Sequence, residues 1–283
     1  MRGGQRTSRA LAQCSLMWNN MQVSGKDAFN QWLDSLQASG RYTFTKDVAQ
    51  REGPPVERKA VWRAQRDGRL IQPRNGFFVI IPAEYRAVGA PPPAWFIDDL
   101  MRFEQLRYYV GLLSAASIYG ASPQAVQEFQ VIVPLSQRPI VAGRLRIRFV
   151  MRADIDGAAT RDHQTPTGKM KVSSVEQTAL DLVRYSDAAG GWDNLAAVLV
   201  ELAPQLDSKD LLQIAKKQRQ AGPLQRLGYL LQLVGAEGPA RALAPEIERR
   251  ASHYRALDPK MPTTNAERNE RWRVLVNRPI ELD

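Results

Sequence analysis

Tyr42 to Ile81 reads YTFTKDVAQREGPPVERKAVWRAQRDGRLIQPRNGFFVII, and its punctuation divides it into a chain of short pieces. Thr45 can cap a helix from Lys46 to Arg51, with Val48 and Ala49 as its apolar contacts and Asp47 near the positive helix end. Gly53-Pro54-Pro55 then breaks the chain. A proline just inside a helix start is tolerated because that position needs no amide donor, so a second helix runs from Val56 to Asp67. In it Val56, Ala60 and Ala64 lie four apart with Val61 beside them, forming an apolar stripe. Opposite, Arg58, Trp62 and Arg66 make one row and Lys59 and Arg63 the adjacent row, so four cations flank one indole. Gly68 ends the helix, Leu70 and Ile71 begin a strand, Pro73-Arg74-Asn75-Gly76 forms a tight turn, and Phe77 to Ile81 returns as a second strand.

A helix of this width fits the major groove of B-DNA, and a hairpin wing with Arg74 and Asn75 at its tip can reach phosphate or the minor groove. The competing reading is a solvated basic face, or a helix-turn-helix that serves protein contacts. Before this stretch, Phe29, Trp32, Leu33 and Leu36 recur at helical spacing between Lys26 and Leu36, and Gly40 ends that helix. With a short strand at Tyr42 to Phe44, the order becomes helix, strand, helix, turn, helix and wing. That is winged helix-turn-helix order, and it assigns residues 21–90 to a DNA-binding domain whose last strand ends near Pro82.

The first 20 residues, MRGGQRTSRALAQCSLMWNN, place arginines ahead of a short apolar run and Cys14. The run is too short and too polar for a secretory leader, and Met21 offers an equally good start. Residues 1–20 are expected to be a disordered arm or an overextended start. The chain of 283 residues can bury two cores, and its net charge of +10 with 44% apolar residues describes a globular protein suited to an anionic partner. One cysteine and two histidines, His163 and His253, are too few for a structural zinc site or a disulfide framework. A reducing cytoplasm is the expected location, and no apolar run approaches membrane-spanning length.

Pro91-Pro92-Pro93 reads as a stiff extended spacer, so residues 91–283 form a second, larger domain of mixed helix and strand. The fold class expected is therefore α+β. Trp95 to Gln105 and Leu106 to Tyr119 read as one bent helix or two abutting helices, the latter part densely apolar. Phe129 to Pro134, Leu145 to Met151 and Met170 to Val172 read as strands. Ser173 and Ser174 precede Val175-Glu176-Gln177 in a capping-box pattern that opens a helix. Helices follow at Trp192 to Leu202, Ser208 to Gln220, Pro223 to Val234 and Pro239 to Arg250, and strands at Tyr254 to Leu257 and Trp272 to Val276.

Catalytic signals are sparse. The best material for a metal-dependent nuclease is Asp154, Asp156, Asp162, His163, Glu176, Lys169 and Lys171, which lie mostly on a polar connection where solubility explains them as well. No phosphate-binding loop, nucleophile elbow or cofactor motif occurs. Asp181, on the helix after Ser174, can face a partner or cap a neighbour, but a solvated helix face is the favoured reading. A second basic run, Arg138 to Arg152, contains Arg138, Arg144, Arg146, Arg148 and Arg152 without one acid. The shared parity of Arg144, Arg146 and Arg148 puts them on one strand face, opposite Leu145, Ile147 and Phe149. Two readings stay open for this ridge: a solvent face, or a second contact to a polyanion such as operator DNA or RNA.

Taken in order, TKDVAQREG with the following basic helix, RDGRLIQPRNGFFVI, YYVGLLSAASIYGAS, VSSVEQTALDLVRY, YRALDPKMP and RNERWRVLVN make a pattern. It resembles the AbiEi antitoxin family, the regulator half of AbiE-type (type IV) toxin–antitoxin pairs. The resemblance spans most of the chain from about Lys26. It implies an N-terminal winged helix that represses its own operon, and a C-terminal domain that counters a nucleotidyltransferase-like toxin without a stable complex. A DNA-reading role carries over onto Arg58, Lys59, Trp62, Arg63, Arg66 and Arg74. The family more often has a small basic or polar residue where this chain has Trp62, so base readout at that point is left open. The alternatives are a winged-helix regulator whose C-terminal domain senses a small molecule, and a DNA-directed enzyme.

Overall fold

The computed structural model describes residues 25–54, 58–121 and 127–282. The expected 1–20 arm, Cys14 and Val56 lie outside them. The chain divides into two compact units, Met1–Pro91 and Pro92–Asp283.

In the first unit, α1 (Gly25–Ala38) leads to β1 (Thr43–Thr45), α2 (Lys46–Glu52), α3 (Arg58–Arg66), β2 (Leu70–Arg74) and β3 (Phe77–Ile80). The strands form one antiparallel sheet in the order β1-β3-β2. Thr45 caps α2 as its sequence position suggests, its hydroxyl accepting from the Val48 amide at 3.2 Å. The core joins Phe29, Leu33 and Leu36 of α1 to Phe44, Phe78 and Ile80 of the sheet and to Ala49, Ala60 and Ala64 of the short helices. Aromatic rings tie it together: Trp32 meets Phe44 edge-on at 5.0 Å, and Phe44 stacks on Phe78 at 5.1 Å.

The expected proline spacer is short: Pro92 keeps polyproline-like backbone at φ −52° and ψ 136°. Pro93 instead opens a 3-10 turn, Pro93–Trp95, and Pro91 is buried. Helix α4 (Ile97–Phe103) follows, and the segment expected to be one helix from Leu106 to Tyr119 splits into strand β4 (Tyr109–Val110) and helix α5 (Leu112–Ile118). Sheet pairing overrides helical pattern here. Tyr109 and Val110 pair with Ile132 and Val131 on one side, and Val110 pairs with Val172 on the other. Gly111 sits at the break, where a Cβ would stand 2.8 Å from Ile132 Cδ1 and oblige that side chain to shift.

Four further strands, β5 (Phe129–Val133), β6 (Ile140–Ala142), β7 (Leu145–Met151) and β8 (Thr160–Thr165), join β4 and β9 (Gly168–Ser173) in a six-stranded mixed sheet. Its order is β6-β7-β5-β4-β9-β8. The polar stretch around Asp162 and His163, expected as a connection, is thus edge strand β8. Its residues pair antiparallel with β9 from Thr160–Ser173 to Thr165–Gly168. Lack of apolar alternation hid it, since an edge strand with exposed side chains needs none.

Helices α6 (Val175–Arg184), α7 (Trp192–Leu202), α8 (Ser208–Lys217), α9 (Gly222–Leu233) and α10 (Glu237–Arg250) follow. Ser174 caps α6, accepting from the Gln177 amide at 3.2 Å. The chain closes with β10 (Arg255–Ala256), β11 (Glu267–Asn269) and β12 (Val274–Val276), a second small sheet in the order β10-β12-β11. Leucines, alanines and Trp192 of these helices merge with Tyr109, Ile132, Trp272 and Val274 into one core. The α+β class expected is the class found.

Candidate nucleic-acid interface

Helix α3 is built with two unlike faces. Ala60 and Ala64, 7% and 3% exposed, pack into the first unit's core with Val61 partly buried beside them. Small side chains on that face let the helix lie close to α1 and β2. Arg58, Lys59, Trp62, Arg63 and Arg66 are all exposed on the outward side. The guanidinium of Arg66 lies over the Trp62 ring, 5.0 Å from its centroid, and also approaches Asp67 at 3.4 Å. Among the described residues of this face, Arg58, Lys59, Arg63 and Arg66 stand beside the Asp67 carboxylate, an excess of positive charge.

The hairpin turns at Asn75-Gly76, with Gly76 at φ 83°, and its ladder shifts register between Ile71 and Arg74. Asn75 is exposed at the turn, whereas Arg74 closes β2 opposite Phe77, is half-buried and donates to the Pro73 carbonyl at 3.3 Å. Of the two expected tip residues, Asn75 is the one standing fully outward.

The second basic run separates into unlike parts. Strand β7 alternates as expected, with Leu145 and Ile147 buried and Arg146 and Arg148 exposed. Arg144 is exposed too but sits in the turn before the strand, and Arg148 has Glu128 as an ion-pair partner at 3.8 Å. Arg152 is no part of this surface. It is 4% exposed, and it meets Asp181 of α6, itself fully buried and not on a solvated helix face.

This buried network fastens helix to sheet. Arg152 Nη1 donates to Asp181 Oδ1 at 3.2 Å and to the Tyr109 hydroxyl at 2.9 Å. The Tyr109 hydroxyl in turn donates to Asp181 Oδ2 at 2.7 Å, and Gln177 Nε2 donates to Oδ1 at 2.9 Å. Arg152 Nε reaches the Asp154 carbonyl at 2.9 Å. Burial pushes the Asp181 carboxyl up from its ordinary value, while the Arg152 charge and the donated hydrogen bonds hold it down. Burial, reinforced by the Asp181 charge, pushes the Tyr109 phenol upward, so it remains a donor. A signal was present in the sequence: Asp181 is flanked by Ala179, Leu180, Leu182 and Val183, and a charge set within an apolar stretch of helix needs a partner if that stretch is buried.

The carboxylates weighed for catalysis are dispersed. Asp156 pairs with Arg107. Asp162 holds both Lys169 and Lys171 at 2.6 Å, and their hydrogen bonds keep its carboxyl low, at about 2. Glu176 is buried and accepts from the Asp207 amide at 3.0 Å. Among the described residues, no group of three His, Cys, Asp or Glu side chains is placed to hold a metal ion, and no helix is long and apolar enough to cross a membrane.

Residues 109–233, from β4 through α9 and including the Tyr109–Arg152–Asp181 network, match the AbiEi antitoxin C-terminal domain. The second unit of the chain thus carries a segment similar to the AbiEi antitoxin C-terminal domain. An antitoxin domain of this kind implies a toxin partner. No curated protein matches the chain. Among solved structures, the RV2827C protein from Mycobacterium tuberculosis is similar, with a TM-score of 0.63 and 16% identity over 87% of this chain and 89% of that one. At that identity the likeness concerns the fold alone.

Proposed function

We propose that this protein is an AbiEi-type antitoxin of a type IV pair and also represses its own operon, its first unit acting as a winged helix-turn-helix that binds operator DNA. The observation that carries the DNA-binding half is α3, where Arg58, Lys59, Arg63 and Arg66 stand outward while Ala60 and Ala64 anchor the opposite face. A rigidly seated cationic helix followed by a hairpin with Asn75 at its turn suits groove entry plus backbone contact. The AbiEi domain supports the antitoxin half, acting against a nucleotidyltransferase-like toxin in the cytoplasm without a stable complex between the two proteins.

The two halves are separable by substitution. Changing Arg58, Arg63 and Arg66 together to alanine leaves the buried face intact, and should abolish operator binding. Expressed from an unrelated promoter, the same variant should still rescue growth from the co-expressed toxin. Loss of rescue by the folded variant contradicts this division of labour.

Arg144, Arg146 and Arg148 form the second basic feature, and neutralisation through a nucleic acid shared with the toxin supplies a reason for it. Reversing all three to glutamate turns attraction to a polyanion into repulsion, and should remove rescue while weakening operator binding only modestly. Growth rescue and an operator-binding curve at two salt concentrations measure both. Full rescue by the folded glutamate variant returns this strand to a solvent-facing role, and equal loss of both activities places the ridge on operator DNA.

A further inference from the structure

Trp62 is the most exposed aromatic side chain among the described residues, at 57%, and it lies between Arg58 and Arg66 on the outward row of α3. Core packing does not account for it, since the buried side of this helix is made by Ala60 and Ala64. Arg66 covers part of the ring with its guanidinium, 5.0 Å from the centroid. That contact restrains the indole, so a ligand meeting its open surface has less side-chain freedom to remove. An apolar plate ringed by cations calls for a partner that offers an apolar group within a polyanion.

Duplex DNA offers one such group in the major groove, the C5-methyl of thymine; the other base edges there present hydrogen-bonding atoms. We infer that Trp62 is a specificity-determining residue whose indole packs on a thymine methyl, while Arg58, Lys59, Arg63 and Arg66 supply phosphate and base-edge hydrogen bonds. This rests on the proposal that α3 enters the major groove. Within that proposal it assigns a base and an atom.

Removing a methyl group packed on the indole costs about fourfold in affinity, from the transfer free energy of one buried carbon. The test begins by selecting bound duplexes from a randomised pool with the full-length wild type and with Trp62→Ala, whose fold is checked by circular dichroism. Wild type should enrich a thymine at a position that becomes degenerate for Trp62→Ala. Replacing that thymine by deoxyuridine, which lacks only the methyl, should weaken wild type about fourfold and leave Trp62→Ala unchanged. An identical preference in both proteins, or equal wild-type affinity for the thymine and deoxyuridine duplexes, overturns the assignment while operator binding stands. Enrichment of no sequence by wild type overturns base reading by α3, and the thymine assignment with it.

Discussion

Asp181→Ala is expected to destabilise the second unit by about 3–5 kcal/mol, the range for removing one partner of a buried ion pair. The carboxylate of Asp181 receives three donors, from Arg152, Tyr109 and Gln177, and both charged side chains are almost wholly inaccessible. Deleting it strands the Arg152 guanidinium without a counter-charge and leaves the Tyr109 hydroxyl without its acceptor. With a urea dependence of a few kcal/mol per molar, the midpoint for loss of helical signal should fall by about 1–2 M. Removing both charges separates charge stranding from lost packing. Asp181→Leu combined with Arg152→Met should lose clearly less than Asp181→Ala alone, because no unpaired ion remains buried. Equal losses would show that the network's hydrogen bonds, rather than its charge balance, dominate.

The second large effect is expected where α9 meets the C-terminal sheet. Gly228 lies against Trp272, and a Cβ added at Gly228 would stand 2.3 Å from Trp272 Cε3 and 2.4 Å from Cζ3. Trp272 is fully buried, and its indole N–H donates to Gln232 Oε1, so the ring has little room to retreat. Gly228→Ala gains roughly 1 kcal/mol of helix propensity, but overpacking of this severity costs about 3 kcal/mol or more. The net outcome should be a loss of about 2 kcal/mol, read as a lowered urea midpoint. Trp272→Ala alone should lose about 3–5 kcal/mol by emptying the site. In Gly228→Ala with Trp272→Leu, the loss should be smaller than the sum of the single changes, because the smaller side chain relieves the clash.

How much of this was legible in the sequence varies with the physics of each piece. The first unit is written in local signals. Thr45 at a cap, the four-residue spacing of Ala60 and Ala64, and Asn75-Gly76 between apolar runs act within a few residues, and each marks the structural feature found there. The second unit depends on distant partners. Tyr109 and Val110 look helical in their apolar neighbourhood and become a strand because β5 and β9 lie on either side. β8 carries no apolar alternation because it is an edge. Arg152 and Asp181 lie 29 positions apart, and no local pattern links the two charges, although each requires the other. The cationic face of α3 was legible because its pattern repeats on one helix. The Arg66 guanidinium stacked on Trp62 depends on rotamers that spacing alone does not fix.

The proposed function requires α3 to give the protein a sequence-specific hold on its own operator. It is tested most directly by titrating the full chain against the DNA immediately upstream of its reading frame and against a shuffled duplex of the same composition, over a series of salt concentrations. Specific binding should exceed non-specific binding by roughly a thousandfold or more. If the four cations of α3 each neutralise a phosphate, they contribute roughly −4 to the slope of log affinity against log salt. Arg58, Arg63 and Arg66 changed together to alanine should lose the preference and flatten that slope by about three. Equal wild-type affinity for the two duplexes, or an unchanged preference and slope in the folded triple variant, would contradict the account.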